Sequence, residues 1–411
     1  MSNEHLDSPE LREYRVQARD WLAAHMTPLR RDDDGNPIVE GASAERFAHA
    51  RALQARLSEG GYAGITFPVE YGGAGLDLDH ERVFLEEAAG YDMPTWDFGV
   101  SLNICGMSLL RFGSDEQKRR HVPRMLNGEE LWLQLLSEPS GGSDIAGLIT
   151  RADKDGDRYL LNGQKTWSTG AQHADFALCP ARTRWDVPKH QGISMFILDL
   201  RAPGIEIRAI RQIDGGAEFY EEFLTDVPVS ADDLIGTEDD GWSIMRGLLA
   251  IEHEWVGRAG TGRSSTQEVG VDDLVALVRR RGLAHDDGAR RRVAEIRERM
   301  VVQRALVSRL SRGVASGALD ESYGNLAKLG SGPLAQLRTE TALELSGISG
   351  IAWDPESSDL VAREFLRARR FTIASGTSEV QRNNVSERSL GLPREASNDR
   401  DRPFNEVQRG S

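Results

Sequence analysis

Near the end of the chain, FTIASGTSEVQRNNV (residues 371–385) sets an apolar, β-branched stretch before Ser375-Gly376-Thr377-Ser378, then resumes as the polar run Glu379–Asn384. Small hydroxyl residues around a glycine suit a tight turn that caps a helix and leaves backbone N–H groups exposed. Such a turn can bind an anion or an electron-rich atom. Elsewhere, Glu252-His253 looks like a fragment of a metal site, although a lone histidine beside acids reads more simply as surface. Several familiar chemistries are missing. The sequence has no P-loop, no His-Glu-x-x-His, no paired Cys-x-x-Cys and no nucleophile elbow. Gly73-Ala74-Gly75 lacks a third glycine and follows no clear strand, so it fails as a dinucleotide fingerprint. Metal-hydrolase, kinase and nicotinamide chemistries are disfavoured.

The elements around these residues change character twice. Residues 1–130 read as a helical domain. SPELREYRVQARDWLAAHM opens on a Ser-Pro-Glu capping pattern, and SDEQKRRHVPRMLNGEE opens on Ser114 with acids in its first turn. FPVEYGGAGLDLD is too rich in Gly and Pro for a regular element. From 131 to 238 the texture is short β-prone runs such as LWLQLLSE, DFALCPART and ISMFILDL, separated by Gly, Asp and Pro. That spacing predicts an antiparallel barrel or sandwich, not alternating β-α units. From 239 to 393 the helical period returns, with Val293, Ile296, Met300, Val307 and Leu310 on one stripe. Residues 394–411 read as a polar, disordered tail.

The chain has 411 residues, 39% hydrophobic and 28% charged, in the range of an ordinary soluble globular protein. A net charge of −15 argues against nucleic acid as a partner. No apolar run is long enough to span a bilayer. The start, MSNEHLDSPE, has neither a basic n-region nor an apolar h-region. Cys105 and Cys179 lie far apart in no metal-ligand spacing and read as small buried hydrophobes. A cytoplasmic location is expected.

Several segments together resemble the acyl-CoA dehydrogenase family. LLSEPSGGSDIAGLITRA (135–152) looks like the family's flavin signature, and LNGQKTWSTGAQHAD (161–175) like the strand and turn that set a Trp and a Thr beside the flavin. GITFPVEYGGAGLD, FGSDEQKRRHVPRMLNGE, EFLTDVPVSADDLIGTEDDGW and SGTSEVQRN match further family segments in the expected order. The resemblance implies a helical N-terminal domain, a β-barrel middle domain and a C-terminal four-helix bundle, with FAD between the last two. It also implies an acyl-CoA substrate, an electron-transfer flavoprotein as acceptor, and a homo- or hetero-oligomer. Carried over residue by residue, Gln134, Leu136 and Ser137 would line the flavin ring. Trp167 would pack against it, Thr169 would bond near N5, and Thr377 and Glu379 would touch the flavin. Gly347 would allow close backbone approach, Ser143 would contact the thioester side, and the Ser375 N–H would polarise the thioester carbonyl.

The reaction implied removes a proton α to a thioester while hydride leaves the β-carbon, so a base is required. Many members carry that base as the Glu of Tyr-Glu-Gly-Thr, where this chain has Ala374-Ser375-Gly376-Thr377. A serine hydroxyl is too weak a base without an activating partner, and the sequence offers none nearby. A minority branch places the base after the barrel in a Leu-x-x-Glu-Arg pattern, which LLAIEHEWVG (248–257) fits with Glu252 as the base. His253 stands where that pattern has an Arg that contacts CoA. Two further departures fall at the adenine end of the flavin: VRRRGLAHDDG, where one of Arg279 to Arg281 would replace a family Arg, and Glu344 in place of a Gln. They motivate a second reading, a partner subunit with little or no FAD. A third reading, an O₂-using monooxygenase or oxidase of the same fold, is disfavoured by a functional Glu252.

Overall fold

A computed structural model of the chain describes residues 7–29, 43–94, 97–259, 270–352, 360–397 and 399–407, with the side chains of 253, 254, 256–259, 315, 321 and 360 outside that description. They divide into two compact units. One draws on residues 1–211, 217–251 and 397–411, the other on 212–216 and 252–396.

The first unit opens with helices α1 (Pro9–His25), α2 (Ala44–Glu59), α3 (Leu78–Ala88), α4 (Met107–Phe112) and α5 (Asp115–Leu126). Their starts are written locally. The Ser8 hydroxyl accepts from Leu11 N at 3.2 Å, with Pro9 in the first turn. Ser114 and Gln117 form a reciprocal capping box on α5. Ala18, Leu22, Leu53, Leu57 and Phe84 close the core between the first three helices.

Strands β1 (Trp132–Gln134), β2 (Arg151–Asp155), β3 (Arg158–Thr169), β4 (Phe176–Arg182), β5 (Ile193–Asp199), β6 (Ile205–Ile210), β7 (Phe219–Ser230) and β8 (Leu234–Ile235) follow. They form one sheet in the order β6-β7-β3-β2-β4-β5-β8, with β1 paired to β4. The predicted antiparallel barrel needs correction on two counts. Among the described residues the sheet is an open path, because β8 is only two residues long and β6 ends the other side with charged Glu206 and Arg208 on its edge. The β1–β4 and β2–β4 pairings are parallel. A core of Leu133, Leu161, Cys179, Phe196, Leu198 and Val227 fills the middle of the sheet.

After α6 (Gly241–Ala259) come α7 (Val271–Arg280), α8 (Asp287–Ala315), α9 (Gly324–Ser346), α10 (Leu360–Arg367) and α11 (Ser378–Asn384). In the second unit α7, α8, α10 and α11 all pack on α9. Ala342 and Leu345 of α9 meet Leu274 and Ile296 in an apolar cluster. The loop 212–216 between β6 and β7 belongs to this unit, where Asp214 accepts from Arg367 at 2.5 Å.

The stretch expected to be a disordered tail is ordered where it is described. Residues 399–407 lie on the first unit, with Phe404 2% exposed and the Arg182 guanidinium 3.7 Å from its ring centroid. One buried aromatic and a short backbone pairing to Trp185 and Val187 outweigh the polar composition.

Candidate functional site

Each unit carries part of the predicted chemistry. In the first, β1 delivers Gln134, buried Leu136 and Ser137 into the glycine-rich loop, on whose far side Ser143 is exposed. The Ser137 carbonyl accepts Thr166 N at 3.0 Å, fastening the loop to β3. Beneath it lies a buried ion pair: Lys165 Nζ donates to Glu138 Oε1 at 2.8 Å and to the Pro180 carbonyl at 2.8 Å. Glu138 also accepts from Ile149 N at 2.6 Å and Thr150 N at 3.0 Å. Burial opposes ionisation of Glu138, but Lys165 and these donors outweigh it and hold the carboxyl below its ordinary value.

Above the ion pair, the β3–β7 ladder slips by one residue between Thr166 and Ser168. Trp167 occupies the bulge with φ 69° and is 60% exposed, with the Phe219 ring edge-on at 6.1 Å. An indole kept out of the core at a strained backbone position is unusual for a residue that would otherwise be buried. Thr169, next but one, is also exposed. Ser168 points inward to Glu222, a pairing that the sequence reading missed because Glu221-Glu222 looks like a solvated acidic pair.

In the second unit Glu252, on α6, is 7% exposed, and the Ser375 hydroxyl donates to its Oε1 at 2.6 Å. The sequence offered Ser375 no partner; the fold supplies Glu252. Ser375 and Gly376 both have positive φ, 54° and 85°. The turn is held from several sides. Ala374 N donates to Arg370 O at 2.8 Å, Gln381 Nε2 to Ser375 O at 3.0 Å, and Lys328 Nζ to Phe371 O at 2.8 Å. Thr377 caps α11, its hydroxyl accepting from Val380 N at 3.2 Å. The Ser375 N–H is used by none of these bonds. Burial pushes the Lys328 ammonium down, and the charge of Glu252 partly offsets this. Lys328, one of five lysines in the chain, had no motif to mark it.

Other expected positions separate from this cluster. Glu379 is exposed on α11 and pairs with Arg382 at 3.2 Å. Gly347 ends α9 with φ 60°, and a Cβ there would stand 3.2 Å from Arg281 Nη2, which singles out Arg281 among the three consecutive arginines. Glu344 pairs with Arg292, so its carboxylate does not stand alone. The His253 side chain lies outside the described residues.

A helical, then β, then helical chain of this order defines a known class of oxidoreductase. Family models for the acyl-CoA dehydrogenase N-terminal, middle and C-terminal domains match residues 8–129, 134–226 and 239–390. The chain belongs to the acyl-CoA dehydrogenase family and is an acyl-CoA dehydrogenase by all three of its domains. The acyl-CoA dehydrogenase IpdE1 of Mycobacterium tuberculosis is 34% identical over 389 residues, covering 94% of this chain and 99% of the relative. Among solved structures, one described as the Tcur3481-Tcur3483 steroid ACAD superposes with a TM-score of 0.78 at 26% identity, covering 95% of this chain and 99% of the other. The ChsE4-ChsE5 complex from Mycobacterium tuberculosis matches with a TM-score of 0.70 at 25% identity, covering 96% and 100%.

Members of this family are flavoproteins that generally bind FAD. The residues here fit such a group: the outward Trp167 offers a flat apolar face beside the loop that carries Ser137. Among the described residues no helix is long and apolar enough to cross a membrane.

Proposed function

We propose that the chain holds FAD and dehydrogenates a ring-bearing acyl-CoA to the 2-enoyl-CoA, with Glu252 as the base. The observation that carries this reading is the 2.6 Å contact between Ser375 and Glu252. The turn position where many relatives keep their base and the helix position of the alternative base meet at one point. Bound flavin supplies the hydride acceptor. The protein's own residues do the rest. The Ser375 hydroxyl donates to Oε1 and orients the carboxylate that takes the α-proton. The Ser375 N–H is the donor for the thioester oxygen, where negative charge grows as the proton leaves. Trp167 would pack against the ring system, Gln134, Leu136 and Ser137 would line it, Thr169 would bond near N5, and Ser143 would serve the thioester side. Thr377 and Glu379 belong to the flavin-contacting turn, and Gly347 with Arg281 to the adenine end. Ala374 and Ser375 leave more room at the reacting carbon than Tyr-Glu would, in keeping with a steroid-type acyl group such as the relative's description names.

The electron acceptor would be an electron-transfer flavoprotein, in the cytoplasm. A second reading, a heteromeric assembly in which this chain works beside a homologue, is favoured by the likeness to the ChsE4-ChsE5 complex. The test is anaerobic bleaching of bound flavin by a panel of acyl-CoAs, with the wild type and Glu252→Gln. Wild type should bleach with ring-bearing substrates. The variant should keep its FAD and lose roughly 10²–10⁴-fold in rate. Normal bleaching by Glu252→Gln would refute the assignment, and colourless protein that gains flavin only with a homologue would support the heteromeric reading.

A further inference from the structure

In the interior of the β domain Glu138, Glu222 and Lys165 form a cluster of two carboxylates and one ammonium, each 3% exposed or less. Lys165 can neutralise only one of the acids without leaving net charge in the core. Glu138 takes it, with two backbone donors in addition. Glu222, opposite Lys165 in the β3–β7 ladder, keeps one partner, the Ser168 hydroxyl. Its second oxygen, Oε2, is buried with no hydrogen-bond partner among the described residues. Ser168 is the residue that ends the bulge presenting Trp167, and it precedes Thr169.

We propose that Glu222 is a positioning residue that sets the Trp167 bulge, and hence the flavin-facing surface, according to whether it carries a proton. As a carboxylate, Glu222 accepts the Ser168 O–H and draws the inward end of the bulge down. As an acid, it offers Ser168 only a neutral hydrogen bond in place of the charge-assisted one, so the serine is held inward less tightly. The groups facing Glu222 are Lys165 on β3, Glu221 beside it on β7, Glu138 after β1 and Cys179 on β4. Burial is the largest influence and pushes its carboxyl up to about 7, with Ser168 and Lys165 opposing. The weakening of this bond therefore falls at neutral pH.

The proposal rests on Trp167 being the flavin's neighbour, so its test needs a readout that survives without flavin. The purified protein is titrated through neutral pH while the flavin visible band and the Trp167 component of indole emission, obtained by difference from Trp167→Phe, are followed. Wild type should show one transition near pH 7 in the Trp167 component, with the flavin band moving in step. Glu222→Gln, which cannot ionise, should remove the transition while keeping the fold. Ser168→Ala, which breaks the link but leaves the acid, should remove it as well. A flat wild-type Trp167 signal through neutral pH would overturn the proposal, as would an unchanged transition in either variant. A Trp167 transition with no bound flavin would uphold the positioning role while defeating the FAD reading.

Discussion

At the scale of single residues, the left-handed region charges a β-carbon for its presence, and Ser375 sits there at φ 54° beside Gly376 at 85°. Glycine would relieve that strain, yet the chain keeps a hydroxyl, and the hydroxyl meets Glu252. Comparing Ser375→Ala with Ser375→Gly separates the two effects. Both lose the hydrogen bond to a carboxylate, worth about 1.5–3 kcal/mol, so both should lose roughly 10- to 100-fold in kcat/KM. Only the glycine variant sheds the strain, so it should melt higher than the alanine variant by calorimetry, by about 1 kcal/mol. Equal melting with unchanged kcat/KM would mean that the hydroxyl orients nothing. Glu252 drew attention in the sequence through its likeness to the family branch's Leu-x-x-Glu-Arg pattern, and the fold places it against Ser375. Lys328 and Glu222 were not legible there, since a lysine or an acidic pair reads as solvated surface until the fold buries it.

At the scale of elements, the turn is placed by α9. A Cβ on Gly332 would come within 2.9 Å of the Phe371 carbonyl, the same carbonyl that Lys328 holds at 2.8 Å. The glycine is what lets the helix backbone run this close to the segment leading into Ser375. Gly332→Ala should force the two apart at a cost of about 1–3 kcal/mol. Activity should fall, because the shift reaches Ser375, while flavin content measured by absorbance should hold. A variant with full activity and full stability would show that the approach is looser than it is here. Caps made such helices readable, as Ser8 and Ser114 illustrate. The sheet was less readable. An alternating run announces a strand but not its neighbour, so neither the parallel pairing of β1 with β4 nor the open path ending at a two-residue β8 could be inferred. The bulge at Trp167 was hidden for the same reason, being a property of two strands in register.

At the scale of the whole molecule, the chain leaves the first unit, builds the second and returns, because residues 397–411 belong with the first. Polar composition concealed this return. In EASNDRDRPFNEVQRGS a single aromatic, Phe404, does most of the docking, with Trp185 5.6 Å from its ring. The docking reaches the glycine-rich loop through two cations. Arg182, against Phe404, donates to the carbonyls of Ala146 at 2.7 Å and Leu148 at 3.1 Å. Lys189 bridges Asp144 at 2.9 Å and Asp399 at 2.8 Å. Phe404→Ala should therefore act at a distance in sequence. Truncating a buried Phe typically costs about 3–5 kcal/mol, and here the loss should appear as faster hydrogen exchange in residues 141–148 and in 399–407. Exchange across α8 and α9, which belong to the second unit, should stay as in the wild type. If loop 141–148 kept its protection while 399–407 lost it, the two cations alone would be holding the loop, and the returning segment would be a passenger on the β domain.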